Sequence, residues 1–228
     1  MWFKDKNAFV GKRFATAADT KELLELHRYF GRTLAERAES RDGSRAGHIS
    51  RVEQLTGILV RAMIMADYPD FTSEYADNVI LASTLHDVGK IAVSDAVLAK
   101  SGELSRAEAE ELMRHAPEGG NILEEISEKL GGGTYISVAA VVARYHHERW
   151  NGCGYPDRLK GAEIPLPARI VSIADGFDCI VGEKKMDIDA AAVAMREFVG
   201  VYYDPALTDI FLSRLSAIKE VYNNKDNM

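Results

Sequence analysis

Residues 135–150 read YISVAAVVARYHHERW. The apolar run is too long for an ordinary strand, and its spacing suits a buried helix. It ends in two adjacent histidines, which are expected in the last turn of that helix. Directly behind them comes NGCGYPDRLKGAEIP (151–165), a stretch broken by Gly152, Gly154, Pro156, Gly161 and Pro165 that can only be loop. A chain built this way brings metal-binding or proton-accepting rings to the end of a core helix, beside a tight turn. That favours a helical bundle whose polar side chains converge at helix ends.

The rest of the chain repeats the helical period. Leu23, Leu24, Leu26, Phe30 and Leu34 mark a helix over 17–41, and RDGSRAG (41–47) breaks it. HISRVEQLTGILVRAMIMADYP predicts a second helix, stopped near Pro69. SEYADNVILASTLHDVGK predicts a third, running to Lys90. Ser105 and Glu108 form a capping-box pattern that opens a helix towards Lys129. LPARIVSIADGFDCIVG restarts helix after the loop, with Pro167 in its first turn. Two more helices are expected over 187–200 and 205–222. The fold class is therefore all-α, in one domain over 17–223, with an N-terminal arm at 1–16 and a frayed tail at 224–228.

Charge and composition narrow the function. A net charge of −7 opposes sequence-independent binding of DNA or RNA, which depends on neutralising phosphates. Charged residues interrupt every apolar run before the ~18 residues a membrane helix needs. No signal-peptide core is present, and Cys153 and Cys179 form no disulfide framework, so a cytoplasmic location is expected. A phosphate substrate would need local positive charge from metal ions or a few Lys and Arg side chains.

Five of the six histidines, His48, His86, His115, His146 and His147, lie near helix ends or glycine breaks, and Asp87, Asp175 and Asp178 accompany them. Imidazole with carboxylate suits divalent Fe, Mn, Co, Ni or Zn. Asp87 directly follows His86. Its carboxylate can bridge two ions, whereas a neighbouring imidazole binds one. Two ions ~3.5–4 Å apart can hold a bridging hydroxide and clamp a phosphodiester. Lys90, three residues after Asp87, can add a point charge for a phosphate oxygen. Singly, each residue has an ordinary structural reading; His27, for one, belongs with the surface of its helix.

GHISRV (47–52), HDVGK (86–90), HAPEGG (115–120), HHERWNGCGYP (146–156) and IPLPARIVSIADGFDCI (164–180) together resemble the HD-GYP family, over roughly residues 20–182. The resemblance implies a helical bundle of the HD superfamily with the Gly/Pro-rich loop beside the metal site. It implies hydrolysis of a cyclic dinucleotide, chiefly cyclic di-GMP, to linear pGpG, with continuation to GMP left open. The implied ligands are His115, His146, His147 and the bridging Asp87 for one ion. His86, Asp87 and Asp175 serve the other, with His48 either completing that site or lying beside it. Lys90 and Asp87 are the expected catalytic residues, and Lys90, Gly152, Gly154, Tyr155 and Lys184 the expected substrate contacts. Glu148 is expected either to orient an imidazole or to form a surface salt bridge.

The chain departs from the family pattern at two places. Ser44 stands where many members carry a glutamate associated with a third metal, so two ions of Fe or Mn are expected, with Asp178 a weak alternative holder of another. VGEKKMDIDA replaces a segment whose arginine grips phosphate, leaving Lys184 or Lys185 to assist. Two other functions compete: an HD phosphohydrolase acting on a different nucleotide, and a cyclic-dinucleotide sensor or interaction module without turnover. A homodimer or a signalling partner is compatible with each. No receiver-like or PAS-like segment is legible, so regulation is expected from partners, expression or residues 1–16.

Overall fold

The computed structural model describes residues 25, 29–38, 40–41, 47–69, 71–132 and 135–223, with Glu183 and Lys184 as backbone only. The arm, the tail, His27, Asp42 and Ser44 lie outside the described residues.

The described residues form helices, with no strand among them. A stretch at 29–38 is α1. It is followed by α2 (His48–Met65), α3 (Ser73–Ser83), a 3-10 turn η1 (Val88–Ala92), α4 (Asp95–Leu98), α5 (Arg106–Met113), α6 (His115–Lys129) and α7 (Tyr135–Tyr145). A second 3-10 turn, η2 (Gly161–Glu163), precedes α8 (Leu166–Lys184), α9 (Ile188–Arg196), α10 (Pro205–Leu212) and α11 (Leu215–Asn223).

Helix α2 is the axis. Val52, Leu55, Leu59, Val60 and Met63 repeat at helical spacing and are fully buried. They pack α2 against α3, α8, α10 and α11. Helix α8 supplies the opposite wall with Ile170, Ile173 and Phe177, and Phe177 meets Phe211 of α10 edge to face at 5.4 Å. Each such ring or aliphatic side chain removed from water contributes about 1.5–3 kcal/mol. Helices α6 and α7 run antiparallel: Ser127 bonds Ser137 at 2.6 Å, while Gly120 lies beside Ala140 and Arg144.

Local chemistry sets the ends. The Ser105–Glu108 capping box is present. Asp187 caps α9, Asp204 caps α10, and Pro167 sits in the first turn of α8. Asp204 also pairs with Arg169 at 2.7 Å, joining α8 to α10.

Several expected helices are shorter or divided. The third does not reach Lys90. The hydroxyls of Ser83 and Thr84 bond back to the carbonyls of Ile80 and Leu81, and the chain turns at 84–87 into η1. The helix expected from Ser105 to Lys129 is divided at Arg114, and the one over 205–222 at Ser213–Arg214. The paired histidines lie one and two residues past α7, not in its last turn.

Candidate metal centre

Close backbone packing builds the site. Gly89 of η1 rests on α6, where a Cβ would collide with the carbonyl of His115 and the backbone of Gly119. This approach sets Asp87 against His115. Gly154 does the same for the loop, since a Cβ there would strike the backbone of His147, Glu148 and Arg149.

Two groups of potential ligand atoms result. Asp87, His115, His146 and His147 form one, and His48, His86 and Asp87 the other. Asp87 belongs to both. Its Oδ1 lies 3.1 Å from His115 Nε2 and 3.5 Å from His146 Nε2, and its Oδ2 lies 3.4 Å from His86 Nε2. Asp175 sits 3.5 Å from His48 Nε2, at the outer side of the second group. The expected ligands therefore converge, His48 included.

The ring orientations bear on a metal. Nδ1 of His86 bonds the carbonyl of Ser83 at 2.8 Å, Nδ1 of His115 that of Leu112 at 2.7 Å, and Nδ1 of His146 that of Ala143 at 3.0 Å. A carbonyl only accepts, so Nδ1 carries the proton and Nε2 presents a lone pair. Nε2 of His115 and His146 and Oδ1 of Asp87 are buried without a hydrogen bond. Electron pairs that face one another in a buried space fit a cation between them.

The electrostatics agree. Burial opposes ionisation of Asp87, but the neighbouring His86, the Lys90 ammonium and the imidazoles of His115 and His146 outweigh it, holding the carboxyl well below its usual range. Burial, against the pull of Asp87, lowers His146; burial and the neighbouring imidazoles push His147 well down. Neutral imidazoles around an ionised carboxylate are the ligand forms.

Residues around the ligands hold them in place. Asp178 accepts from His48 Nδ1 at 2.7 Å, Arg51 Nε at 2.7 Å and the Tyr222 hydroxyl at 2.8 Å. Burial resists its ionisation, and the bonds from His48 and Arg51 overcome it. Asp178 thus orients His48, with both of its oxygens engaged in hydrogen bonds. Glu148 departs from both expected roles. It is buried and accepts the backbone N–H groups of Asp157 at 2.7 Å and Leu159 at 3.1 Å, clamping the loop.

Lys90 Nζ lies 2.7 Å from Asp87 Oδ2, because side chains three apart eclipse in a 3-10 turn. Tyr155 stacks on His147 at 4.8 Å, and burial raises its hydroxyl pKa far above the usual 10.0. Gly152 turns at φ 81°. The Lys184 side chain lies outside the described residues.

A cleft of about 370 Å³ opens beside the ligands, lined in part by His146, His147, Arg149, Asp175, Cys179 and Tyr202. Gly176 of α8 lets Tyr203 pack directly against its backbone. Sequence reasoning missed Arg51, Arg149, Tyr202, Tyr203 and Tyr222. Only Arg51 left a signal, as a cation three residues after His48 on an otherwise apolar helix face.

The chain is similar to known proteins. The chain matches the HD domain model over residues 20–207. It is 32% identical to a cyclic di-GMP phosphodiesterase of Vibrio cholerae, over 79% of this chain and 38% of that protein. It is 32% identical to a cyclic di-GMP phosphodiesterase response regulator of Xanthomonas campestris, over 90% of this chain and 52% of the relative. A 3'3'-cGAMP-specific phosphodiesterase of V. cholerae is likewise 32% identical, over 89% of this chain and 38% of its own. The crystal structure of a V. cholerae cyclic GMP-AMP phosphodiesterase superposes with a TM-score of 0.56 at 20% identity, covering 85% of this chain and 53% of that one. The chain thus spans about half or less of the length of these relatives. With its helical architecture, its paired His86–Asp87 and a model match across most of its length, the chain belongs to the HD domain family.

Proposed function

We propose that the protein is a metal-dependent phosphodiesterase that hydrolyses a cyclic dinucleotide, cyclic di-GMP foremost, to the linear dinucleotide pGpG and then GMP. The observation that carries this reading is the position of Asp87 in both ligand groups, which suits a pair of ions sharing one carboxylate. The names of the related phosphodiesterases support the substrate class.

Iron(II) or manganese(II), two ions per chain, would supply an activated water and neutralise the phosphodiester undergoing attack. His115, His146 and His147 would hold one ion, and His48, His86 and Asp175 the other, with Asp87 common to both. Tyr155 keeps His147 in place and shields it from solvent. Lys90 holds the charge of Asp87 and would turn towards a phosphate when ions take over that carboxylate. Gly152 and Gly154 would let the loop backbone approach the nucleotide, and the free thiols Cys153 and Cys179 fit a reducing, cytoplasmic setting.

The mixed cyclic dinucleotide cGAMP is a second substrate reading, favoured by the likeness to a cGAMP-specific enzyme. The test is to incubate metal-loaded protein with cyclic di-GMP and with 3'3'-cGAMP and to identify products by mass. Linear dinucleotides are expected. Intact cyclic substrates after prolonged incubation with Mn(II) or anaerobic Fe(II) would overturn the proposal.

A further inference from the structure

The cleft carries a cation that the metal centre does not use. Arg149 follows Glu148, whose carboxylate is fully engaged with the loop backbone, and lies at the wall shared with His146, His147 and Asp175. Its guanidinium carbon sits 4.2 Å from the centre of the Tyr202 ring. The contact is reinforced by the main chain: Trp150 N–H bonds the Tyr202 carbonyl and Asn151 N–H that of Val201, each at 3.0 Å. Arg149 makes no ion pair with a carboxylate among the described residues, and the residue is exposed. An arginine held over an aromatic ring by a cation–π contact loses less freedom when it binds an anion. The protein is acidic overall, and among the described residues lining this cleft Arg149 is the one Lys or Arg.

Resting on the phosphodiesterase reading, we infer that Arg149, held over the Tyr202 ring, is the residue that grips the non-reacting phosphate of a cyclic dinucleotide while the other phosphate lies at the His/Asp centre. Such a substrate carries two phosphodiesters, and one pair of ions attends to one of them. The second anion would otherwise enter a cleft that already contains the Asp175 carboxylate. A guanidinium edge donates two parallel N–H bonds to a phosphate, whereas a lysine offers a point charge. Arg149 is thus a specificity residue: it selects substrates with two phosphates over simple diesters, without reading the bases.

The experiment compares Mn(II)-loaded wild type, Arg149→Ala and Arg149→Lys on cyclic di-GMP, cyclic di-AMP and bis(p-nitrophenyl) phosphate. Binding of a phosphorothioate analogue of cyclic di-GMP is measured in parallel. Arg149→Ala should raise KM and the analogue Kd by about 10- to 100-fold for both dinucleotides, the range for a charged hydrogen bond. Arg149→Lys should recover part of it, and the single-phosphate ester should be cleaved as by wild type. A loss confined to cyclic di-GMP would overturn the phosphate role and assign Arg149 to guanine. Unchanged dinucleotide kinetics, or equal losses on the simple ester, would overturn it as well. A wild type that cleaves the simple ester but neither binds nor cleaves any dinucleotide would remove the cyclic-dinucleotide reading itself, and the second-phosphate role with it.

Discussion

The carboxylate of Glu148 accepts the backbone N–H of Asp157 at 2.7 Å, nine residues further along the chain. With the second bond from Leu159, it ties both sides of the loop to the segment that carries His147. Glu148→Ala would strand two part-buried donors, at about 1–3 kcal/mol each. Hydrogen exchange at Asp157 and Leu159 should accelerate and dinucleotide turnover should fall, while the metal content stays that of wild type. Unchanged protection of those two amides would refute the clamp.

Gly154 and Gly152 should respond differently to alanine. At Gly154 the methyl group meets fixed backbone on three residues, so the loop must leave its seat. At Gly152 the obstacle is a φ of 81°, a strain of about 1–2 kcal/mol for an L-residue, with the Lys160 side chain nearest and the Arg158 carbonyl at ordinary contact distance. Thermal melts and turnover should show Gly154→Ala severely impaired and Gly152→Ala mildly so. The reverse order would contradict the packing described.

Removing Asp178 leaves Arg51 and His48 without their shared acceptor in the core. Breaking a buried charged network from one side costs about 3–5 kcal/mol. Denaturant titration of Asp178→Ala should show a loss of that order. A change below ~1 kcal/mol, the range of an exposed pair, would mean that Asp178 is far less important than its burial implies.

Asp87→Asn and His147→Ala separate the bridge from a terminal ligand. Because Asp87 serves both groups, its variant should lose nearly all metal, whereas His147→Ala should retain an ion at the group of His48, His86 and Asp87. Both should lose turnover. Elemental analysis of protein purified without chelator decides between them. Equal, full metal contents in the two variants would dismiss the assignment.

Acid should weaken the start of α5. Hydrogen bonds from Lys100 and Ser105 depress the Glu108 carboxyl from 4.5 to about 2. A depressed carboxyl stabilises the fold above its unfolded value, and that contribution disappears as pH falls from about 4.5 towards 2. Glu108→Gln should flatten this part of the stability–pH curve and leave the neutral region nearly level. Parallel acid limbs in both proteins would exclude the effect.

The helical class, the capping box at Ser105 and the loop were legible because each rests on local spacing, and the converging histidines because their motifs together resemble the HD-GYP family. The breaks at 84–87 and 114 were not. Arg114 keeps helical dihedrals (φ −64°, ψ −19°), so no breaker marks the division. The 3-10 turn after Asp87 depends on Gly89 pressing against α6, a contact between distant segments. The partners of Asp178 were hidden for the same reason: Arg51 lies 127 residues away and Tyr222 lies 44 away. Glu148 was misread because its acceptors' partners are main-chain groups, which leave no trace in side-chain pattern.

Tyr222 gives α11 a direct connection to the metal centre. Its hydroxyl bonds Asp178, and Asp178 in turn aims His48 at Asp175. Any protein or modification that tilts α11 would alter the aim of that imidazole, and ion occupancy would in turn change the affinity of α11 for its handler by the same factor. The C-terminal helix and the His48 ring therefore share one buried acceptor, so a displacement of α11 would be felt at a candidate ligand even though α11 itself carries none.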